Sequence, residues 1–371
     1  MSRPLHGTVD LPGSKSESNR ALMIAAYGGF PPAINHLSDA HDTVLLKALL
    51  SSTLPTVDCE DAGTVARFLL TYLSGIPGSW RLTGTERLCQ RPMAPLIDAL
   101  RQLGASVTTE GGKNTIATII GHPLQGGAAT LDASQSSQFA SSLLMAAPTW
   151  ERGLRLTLTG VPVSMPYLEM TIRMMAHFGV QVGREGHTFI VDPQTYRPCP
   201  FMVSADWSAA SYWYEMLAVS DGGELLLKGL RADALQGDAV VAEWFKPLGI
   251  TTVFEPEGAR IAKTAAHPHN LVFDFTDHPD LFPAVCATCF ALGVNATFKG
   301  TDTLSAKESD RMTAMKAELA KIGHSEVLCA HHDHRIAMAL AALWPVFGPV
   351  TLDDPTVVSK SYPGFWTIVL R

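Results

Sequence analysis

The sequence has no uninterrupted apolar run long enough to span a membrane. Its most apolar stretch runs from Ile336 to Val346 and contains Pro345, whereas a transmembrane helix needs about 20 apolar residues. The segment that follows Met1 opens no apolar core of the kind found in signal peptides. We therefore expect a soluble, cytoplasmic protein without a membrane partner.

Basic charge is also scarce. The 371 residues include 28 Lys and Arg against 35 Asp and Glu, which gives a net charge of −7. There is no excess of positive charge to attract nucleic acid or an anionic membrane surface. We therefore expect no nucleic-acid partner, and any cationic site in this chain must be local.

Cysteine and metal-ligand clusters are few. Six cysteines are scattered along the chain, and only Cys286 and Cys289 have the spacing of a redox or zinc pair. They lie in an apolar run without nearby partners, so we predict buried free thiols. The histidine-rich run from His331 to His334 has no adjoining cluster of cysteines or carboxylates in sequence. We expect no metal there.

The chain does contain an internal repeat. Four times an amphipathic helix ends at a glycine and leads into a predicted strand, at Gly104, Gly179, Gly249 and Gly323, spaced by 75, 70 and 74 residues. Three of these strands are followed by a turn and a second short strand, with turns at 110–112, 185–187 and 257–259. A glycine after the last helical turn is the usual left-handed cap, and the paired strands indicate hairpins. The pattern predicts a chain built from copies of one α/β unit, and a length of 371 residues is sufficient for two domains.

One copy is incomplete. The helix that contains Val44 and Leu49 runs into Ser51–Pro55 without a capping glycine, and the next helix begins near Asp61. There is no room for a hairpin between them. We expect one unit to be truncated near residues 50–60.

A turn from Leu11 to Arg20 carries hydroxyl groups and two cations and leads directly into an apolar helix. Helix N-termini present unpaired N–H groups, so this turn is a candidate anion site, with Lys15 as a point charge and Arg20 as a planar fork. It is not a P-loop, because Ser14 stands where that motif has glycine. The alternative is that Ser18 caps the helix while both cations are solvated.

Two further segments decide between these interpretations. They are Lys307–Arg311 and Asp333–Arg335. Together with the turn, and in this order, they resemble the signature segments of 5-enolpyruvylshikimate-3-phosphate synthases (EPSP synthases). The resemblance extends from about Leu11 to Lys360.

The resemblance implies an α/β fold of two similar domains, each built from repeated βαβαββ units with helices inside and sheets outside, like an inverse α/β barrel. The active site would lie in the cleft between the domains. By matching segments, the domains are a discontinuous one of residues 1–13 plus 205–371 and an inserted one of residues 14–204. We expect a monomer.

The resemblance also implies a reaction. The enolpyruvyl group of phosphoenolpyruvate (PEP) moves to the 5-hydroxyl of shikimate 3-phosphate and phosphate is released, by addition and then elimination. The implied catalytic residues are Lys15, Asp280 and Glu308. Asp280 would be the general base on the hydroxyl, Glu308 the acid that protonates the methylene carbon, and Lys15 an aid to proton transfer. No metal and no organic cofactor is implied.

The remaining site residues are implied by position in the same motifs. For shikimate 3-phosphate they are Ser16, Arg20, Ser136, Ser137, Gln138, Ser164, Tyr167, Asp280 and Lys307. For PEP they are Lys15, Gly63, Arg67, Arg91, Gln138, Arg311, Arg335 and Lys360. Two substrates rich in phosphate and carboxylate groups need this many cations, because each buried anion is costly when unpaired.

Three departures from the family pattern leave an alternative open. Asp61 stands where the family usually has Asn, Thr303 where an Asn usually touches the shikimate, and the unit near residues 50–60 is short. Asp61 would either repel PEP or serve as a helix N-cap. The alternative function is that of a degenerate, non-catalytic homologue acting as a ligand-binding or complex-forming module. The related enolpyruvyl transferase that acts on a UDP-sugar resembles the chain less.

Overall fold

The computed structural model describes residues 4–109, 112–266, 268 and 270–369, with the backbone alone at residues 368 and 369. The chain divides into two compact α/β units. The first contains the residues up to Lys15, His36–His41 and the chain from Val203 onward, and the second contains Ser16–Asn35 and Asp42–Met202. This division differs from the sequence-based boundaries in assigning Ser14, Lys15, His36–His41, Val203 and Ser204 to the first unit.

The elements of the N-terminal half follow in chain order. They are β1 (Leu5–Asp10), α1 (Lys15–Gly28), β2 (Ile34–Asn35), α2 (His41–Leu50), β3 (Thr56–Asp58), α3 (Gly63–Ser74), β4 (Gly78–Thr83), α4 (Glu86–Gln90), α5 (Ala94–Gln102), β5 (Ser106–Thr108), β6 (Thr115–Gly121), β7 (Gly127–Asp132), α6 (Ser137–Ala146), β8 (Leu154–Thr159), α7 (Met165–His177), β9 (Gly183–Glu185) and β10 (Thr188–Val191).

The C-terminal half continues the series. Its elements are β11 (Phe201–Met202), α8 (Trp207–Val219), β12 (Gly223–Lys228), α9 (Val241–Trp244), β13 (Ile250–Glu255), β14 (Gly258–Lys263), β15 (Leu271–Asp274), α10 (Phe282–Ala291), β16 (Ala296–Lys299), α11 (Arg311–Leu319), α12 (His334–Ala342), α13 (Trp344–Phe347) and α14 (Phe365–Val369). Short 3₁₀ helices lie at Ala147–Thr149, Gly237–Val240, Pro279–Leu281, Asp302–Ala306 and Pro355–Lys360.

Three four-stranded sheets share one strand order. They are β3-β4-β6-β5 and β7-β8-β10-β9 in the second unit and β1-β12-β14-β13 in the first. In each, the first two strands are parallel, and the last two form an antiparallel hairpin that joins the second strand. A parallel pair needs a crossover, usually a helix, and α3 and α6 provide it in the second unit.

Glycines precede the three hairpins, as predicted. Gly104, Gly179 and Gly249 have φ angles of 92°, 87° and 89°, in the left-handed region that glycine enters without strain. The turn between β9 and β10 lies at 186–187, within the predicted 185–187. The turn between β13 and β14 lies at 256–257, earlier than the predicted 257–259, because Gly258 and Ala259 already belong to β14. Of the predicted turn at 110–112, residues 110 and 111 lie outside the described residues.

The fourth repeat does not continue in the same way. Gly323 has a left-handed φ of 79°, but residues 324–333 form no strand, and only Leu328 makes an isolated bridge, with Leu352. The prediction of a strand after Gly323 is therefore wrong. No strand lies in residues 51–55 either, and β3, which follows them, pairs with β4 of the next sheet.

Helices form the core and strands cover it. Every residue of α8 and α12 is buried, whereas β7 and β8 alternate between buried and exposed positions along each strand. A helix that is apolar on all sides must be surrounded by other elements. An antiparallel or mixed sheet with one exposed face shows the alternation.

The segment around Gly13 positions the start of α1. Gly13 bridges Ala205, and Ser14 N donates to the carbonyl of Ser204 at 2.8 Å. A Cβ on Gly13 would lie 2.2 Å from the carbonyl oxygen of His36. Only glycine fits here, because the backbone of another segment occupies the space of a side chain.

The cysteine pair and the histidine run show no metal cluster. Cys286 and Cys289 are free thiols on α10, and burial raises the pKa of each to about 12. Across the described ranges, no group of three or more His, Cys, Asp or Glu side chains is arranged to hold a metal ion. No helix in those ranges is long and apolar enough to cross a bilayer.

Glu215 is the one acidic residue of α8, and both of its carboxyl oxygens are buried without a hydrogen-bond partner among the described residues. Burial raises the pKa of this carboxyl well above its ordinary value. The neutral form is therefore favoured in the folded protein. Its contribution to stability is fully present below the ordinary glutamate pKa and is lost as the pH rises.

We expect Glu215→Gln to be more stable than the wild type at neutral pH and equal to it near pH 4. The free energy of unfolding of the wild type alone should fall by about 1.4 kcal/mol for each pH unit above the ordinary glutamate pKa, until the pH reaches the pKa of Glu215 in the folded protein. Urea unfolding at pH 4 to 8 measures this difference. Glu257→Gln, at an exposed position, is the control, and equal pH profiles for both variants would contradict the account.

Candidate active site

Arg311 is the centre of a cluster of charged side chains in the first unit. It is the first residue of α11, and its side chain is 1% exposed. Its Nη1 donates to Asp280 Oδ1, its Nη2 to Glu308 Oε2 and its Nε to Asp333 Oδ2, each at 2.9 Å. Burial by itself would lower the pKa of Arg311, but the three carboxylates outweigh it and raise the pKa. The guanidinium is therefore permanently charged and bound by three carboxylates.

Asp280 binds a second arginine, Arg335. It lies in the 3₁₀ helix Pro279–Leu281, and its Oδ2 accepts from Arg335 Nη2 at 2.7 Å. Burial alone would raise the pKa of Asp280, but the charges of Arg335, Lys307 and Arg311 together hold it far below its ordinary value. The carboxylate is therefore ionised at neutral pH.

Asp333 orients the cations of this cluster. It is fully buried and caps α12, accepting from the Arg335 backbone N–H at 3.0 Å. Ser309 Oγ donates to the same carboxylate at 3.0 Å. Neither Asp333 nor Ser309 was in the set of site residues expected from sequence. The Asp-His-Arg segment was noted, but its aspartate could be assigned to Arg311 only once α11 and α12 were seen to pack together.

His334 is a second residue that sequence reasoning left out. It is 1% exposed, and both ring nitrogens lack a hydrogen-bond partner among the described residues. Burial lowers the pKa of His334 well below its ordinary value, and the charges of Lys15, Arg335 and Arg311 lower it further. The ring is therefore neutral at pH 7. A buried, neutral imidazole among these cations can donate or accept a hydrogen bond without adding charge.

Lys15 is placed at the start of α1 by a polar network. Its backbone N–H donates to Asp206 Oδ2 at 3.2 Å, and the Oδ1 of Asp206, which caps α8, accepts from Gln236 at 3.2 Å. Gln236 is 2% exposed and also accepts from Ser14 Oγ at 3.3 Å. The segment that carries Lys15 is thus tied to the N-terminus of α8.

Two other predicted positions lie on 3₁₀ helices of the first unit. Lys360 ends Pro355–Lys360, which packs against α12, and its side chain is buried. Thr303, one of the departures, lies in Asp302–Ala306. Lys307 follows that helix directly.

In the second unit, the first turns of α3 and α6 meet. Arg67 Nη1 donates to Gln138 Oε1 at 2.7 Å, and its guanidinium lies over the ring of Phe139 at 5.3 Å. A Cβ on Gly63 would lie 2.7 Å from Arg91 Nη1. Glycine at the start of α3 therefore lets the guanidinium of Arg91 lie against the helix backbone. Four of the predicted PEP residues are brought together here.

Arg91 is also within reach of solvent. It borders a cavity of about 790 Å³ in the second unit. Its lining also includes polar side chains, among them Asp98, Asp132 and Gln135.

Arg20 is fully enclosed. Its side chain, 1% exposed, donates to Thr171 Oγ1 at 2.7 Å, to the Ser16 carbonyl at 3.1 Å and to the Tyr167 carbonyl at 3.2 Å. Burial lowers its pKa to about 10, so it stays charged at neutral pH. In the structure, the side chain of Arg20 therefore joins α1 to α7. The implied contact of Arg20 with shikimate 3-phosphate stays a prediction.

Hydroxyl-bearing residues begin two of the helices. Ser136 caps α6 and accepts from the Gln138 backbone N–H at 3.2 Å, with Ser137 buried beside it. Ser164 precedes α7 with a left-handed φ of 54° and makes no side-chain cap. The expectation that Ser18 caps a helix is wrong, because α1 begins at Lys15 and includes Ser18.

Asp61 does not cap α3. The N-cap is Ala62, which makes no side-chain cap. The capping interpretation of Asp61 is therefore wrong. The carboxylate lies one residue before the cap, at the end of the helix whose N–H groups favour an anion.

Each unit thus gathers cations, hydroxyls and helix N-termini at one place. The first unit adds three carboxylates to its cations, a combination that can bind anions and transfer protons. The second unit has cations and hydroxyls without a carboxylate in these contacts. Such a set can bind phosphate and carboxylate groups.

Comparisons with known proteins agree on one family. The sequence model described as EPSP synthase (3-phosphoshikimate 1-carboxyvinyltransferase) matches residues 33–327 and 323–369. The chain is 40% identical over 388 residues to a 3-phosphoshikimate 1-carboxyvinyltransferase of Bacteroides fragilis, covering 98% of this chain and 94% of that protein. It is 36% identical to the protein of the same name from Methanosphaerula palustris, covering 97% and 96%.

Among solved structures, an EPSP synthase of Acinetobacter baumannii superimposes with a TM-score of 0.77 at 21% sequence identity. It covers 100% of this chain and 96% of that one. At this identity the likeness speaks for the fold, and it supports an α/β fold of two domains.

We expect Arg311→Met to destabilise the first unit by about 3–5 kcal/mol, because three carboxylates lose their shared buried partner. Unfolding in guanidinium chloride, followed by circular dichroism, measures the loss in the free energy of unfolding. Arg260→Met is the matched control, since Arg260 also binds two carboxylates, Glu224 and Glu255, but at the surface. Exposed pairs contribute little, so similar losses for both variants would contradict the account.

Proposed function

Because the chain belongs to the EPSP synthase family, we propose that it transfers the enolpyruvyl group of PEP to the 5-hydroxyl of shikimate 3-phosphate and releases phosphate. The observation that carries this proposal is the cluster in which Arg311 joins Asp280 and Glu308, the implied base and acid. Nothing in the comparisons supports a degenerate homologue, and every implied acid, base and cation is present in the chain.

The charges of the two units support binding of these substrates. Each substrate carries a phosphate and a carboxylate, and desolvating them requires cations and N–H donors. The first unit offers Lys15, Lys307, Arg335 and Lys360 besides Arg311. The second offers Arg67 and Arg91 at the start of α3. The resemblance assigns both sets to the same pair of substrates.

Arg67, Arg91, Gly63 and Gln138 are proposed to hold PEP from the second unit. The guanidinium of Arg91 lies against Gly63 and that of Arg67 against Gln138, so their forks are already oriented. Arg311, Arg335, Lys15 and Lys360 are the proposed PEP residues of the first unit. Preorganised donors of this kind lose little entropy on binding.

Shikimate 3-phosphate is proposed to bind at the hydroxyl-bearing helix starts. The residues are Ser16, Ser136, Ser137, Gln138, Ser164, Tyr167 and Lys307, with Arg20 and Asp280. Arg20 supports this set by fastening α1 to α7. The left-handed backbone at Ser164 leaves its hydroxyl uninvolved in capping, which suits a side chain reserved for a ligand.

Proton transfer is proposed to use Glu308 and Asp280. Glu308 protonates the methylene carbon of PEP, and Asp280 takes the proton of the attacking 5-hydroxyl. With its pKa held far below the ordinary value by Arg335, Lys307 and Arg311, Asp280 is a weak base in the free protein. An anion that draws these cations towards itself would raise the pKa of Asp280, so binding of PEP would strengthen the base.

The finer features of the fold belong to the same proposal. The three sheets of identical order support an architecture of repeated βαβαββ units, as in an inverse α/β barrel. The direct passage from α2 to β3 supports a truncated unit near residues 50–60. We propose a cytoplasmic, monomeric enzyme that needs no cofactor.

Phosphate release tests the proposal directly. The purified chain should release phosphate with shikimate 3-phosphate and PEP together and none when either is omitted. A chain that binds both substrates but releases no phosphate would instead be the degenerate homologue.

Glu308→Gln should lower kcat by at least about 100-fold, because the amide cannot deliver a proton, while the thermal unfolding temperature stays close to that of the wild type. Lys15→Ala should act in the same direction. Glu326→Gln, at an exposed position, is the control for a change of charge. A Glu308→Gln variant with wild-type kcat would remove Glu308 from the role of acid.

Gly63→Ala should raise the KM for PEP about tenfold or more, since the new Cβ would meet the Arg91 guanidinium at 2.7 Å and displace it. Gly75→Ala, at the other end of α3, meets only the Tyr72 carbonyl at 3.6 Å and is the matched control. The KM for shikimate 3-phosphate should change little in either variant. If both variants bind PEP equally well, Arg91 does not hold this ligand.

A further inference from the structure

The loop from Cys329 to Asp333 connects α11 to α12 and supplies Asp333 to the Arg311 cluster. In the three four-stranded sheets, the corresponding helix is followed by a hairpin whose ladder holds the chain. After α11, no strand lies in residues 320–333 except the single bridge at Leu328. Something other than a sheet must therefore hold this loop.

The backbone of the loop also adopts an uncommon conformation. His331 and His332 have φ angles of 53° and 52°, and two consecutive residues other than glycine rarely adopt the left-handed region. Such a conformation costs free energy and persists only where surrounding contacts hold it. The pair immediately precedes Asp333.

Glu318 makes the contacts that hold the loop. It lies on α11 with its side chain 1% exposed. Its Oε2 accepts from the Cys329 backbone N–H at 2.9 Å, and its Oε1 lies 2.8 Å from His331 Nε2. Lys321 Nζ donates to Oε1 at 2.8 Å from the solvent side. One buried carboxylate thus joins α11 to both sides of Ala330.

A second carboxylate completes the support. The Ala330 backbone N–H donates to Asp353 Oδ1 at 2.7 Å. Two consecutive backbone N–H groups of the loop therefore donate to two carboxylates. In a β-sheet, the N–H groups of a strand would donate to the carbonyls of the neighbouring strand instead. Hydrogen bonds with an ionised acceptor are stronger than those between neutral groups.

We propose that Glu318 is a positioning residue of the active site, which holds the loop 329–333 so that Asp333 can orient Arg311 and Arg335 for PEP. The proposal rests on the proposed function. Helix α11 carries Arg311 at its first turn and Glu318 near its last, so the loop is bound to the same helix at two points. Releasing one point lets Asp333 move relative to Arg311.

Glu318→Gln tests the proposal in the full-length chain. The amide keeps the shape but can accept with one oxygen only, so either Cys329 or His331 faces an NH₂ group. We expect kcat/KM for PEP to fall about 10- to 100-fold, as for a misplaced binding group, while the KM for shikimate 3-phosphate changes by less than about twofold. Glu326→Gln, in the same segment and exposed, should match the wild type.

Amide hydrogen exchange gives a readout that does not depend on turnover. Exchange at Cys329 and His331 should accelerate in Glu318→Gln relative to Glu326→Gln, while exchange in α11 stays unchanged. Unchanged exchange in the loop would overturn the proposal. So would an equal loss for both substrates, because that is the result of general destabilisation.

His331→Asn decides the question if Glu318→Gln does not fold. Asn tolerates the left-handed backbone but removes the ring that contacts Glu318. A weaker effect of the same kind, about 3- to 10-fold in kcat/KM for PEP, is expected. A wild type that releases no phosphate would overturn the proposed function, whereas an active wild type with wild-type His331→Asn kinetics would overturn this inference alone.

Discussion

A buried guanidinium must have its charge and its N–H donors satisfied within the protein, and at Arg311 the carboxylates of Asp280, Glu308 and Asp333 do so. The requirement acts in both directions, because each carboxylate would be costly to bury without the arginine. Asp280 belongs to a 3₁₀ helix and Asp333 to the N-cap of α12. One side chain on α11 therefore joins elements distant in sequence and sets the positions of the proposed acid and base.

The second unit also holds cations in fixed positions, but without a carboxylate in these contacts. The guanidinium of Arg91 lies against Gly63 at the start of α3, where backbone N–H groups are unpaired and the helix dipole is positive. Gly63 admits Arg91, and Arg67 lies on Gln138. Because these contacts are made within the unit itself, the proposed anion site exists before any substrate arrives.

Sequence reasoning succeeded where a pattern is local. The glycines at 104, 179 and 249 end helices before hairpins, since only glycine enters the left-handed region without strain. It failed at Gly323, where the same local signal is followed by a loop. The alternatives in which Asp61 and Ser18 cap helices were open in the sequence, and the structure excludes them. Whether a helix start lies one residue earlier or later depends on packing that a single segment does not encode.

By itself the sequence determined the class of fold, the family and the identities of the charged residues, because periodicity, glycine positions and motif order are properties of the chain alone. Only the tertiary structure decided which charges neutralise one another. The sequence alone does not distinguish the surroundings of Arg311 from those of Arg20. In the structure, Arg311 is surrounded by carboxylates, whereas Arg20 is surrounded by a hydroxyl and backbone carbonyls. The energy of a buried charge depends on its neighbours in space, and those are set when distant segments pack.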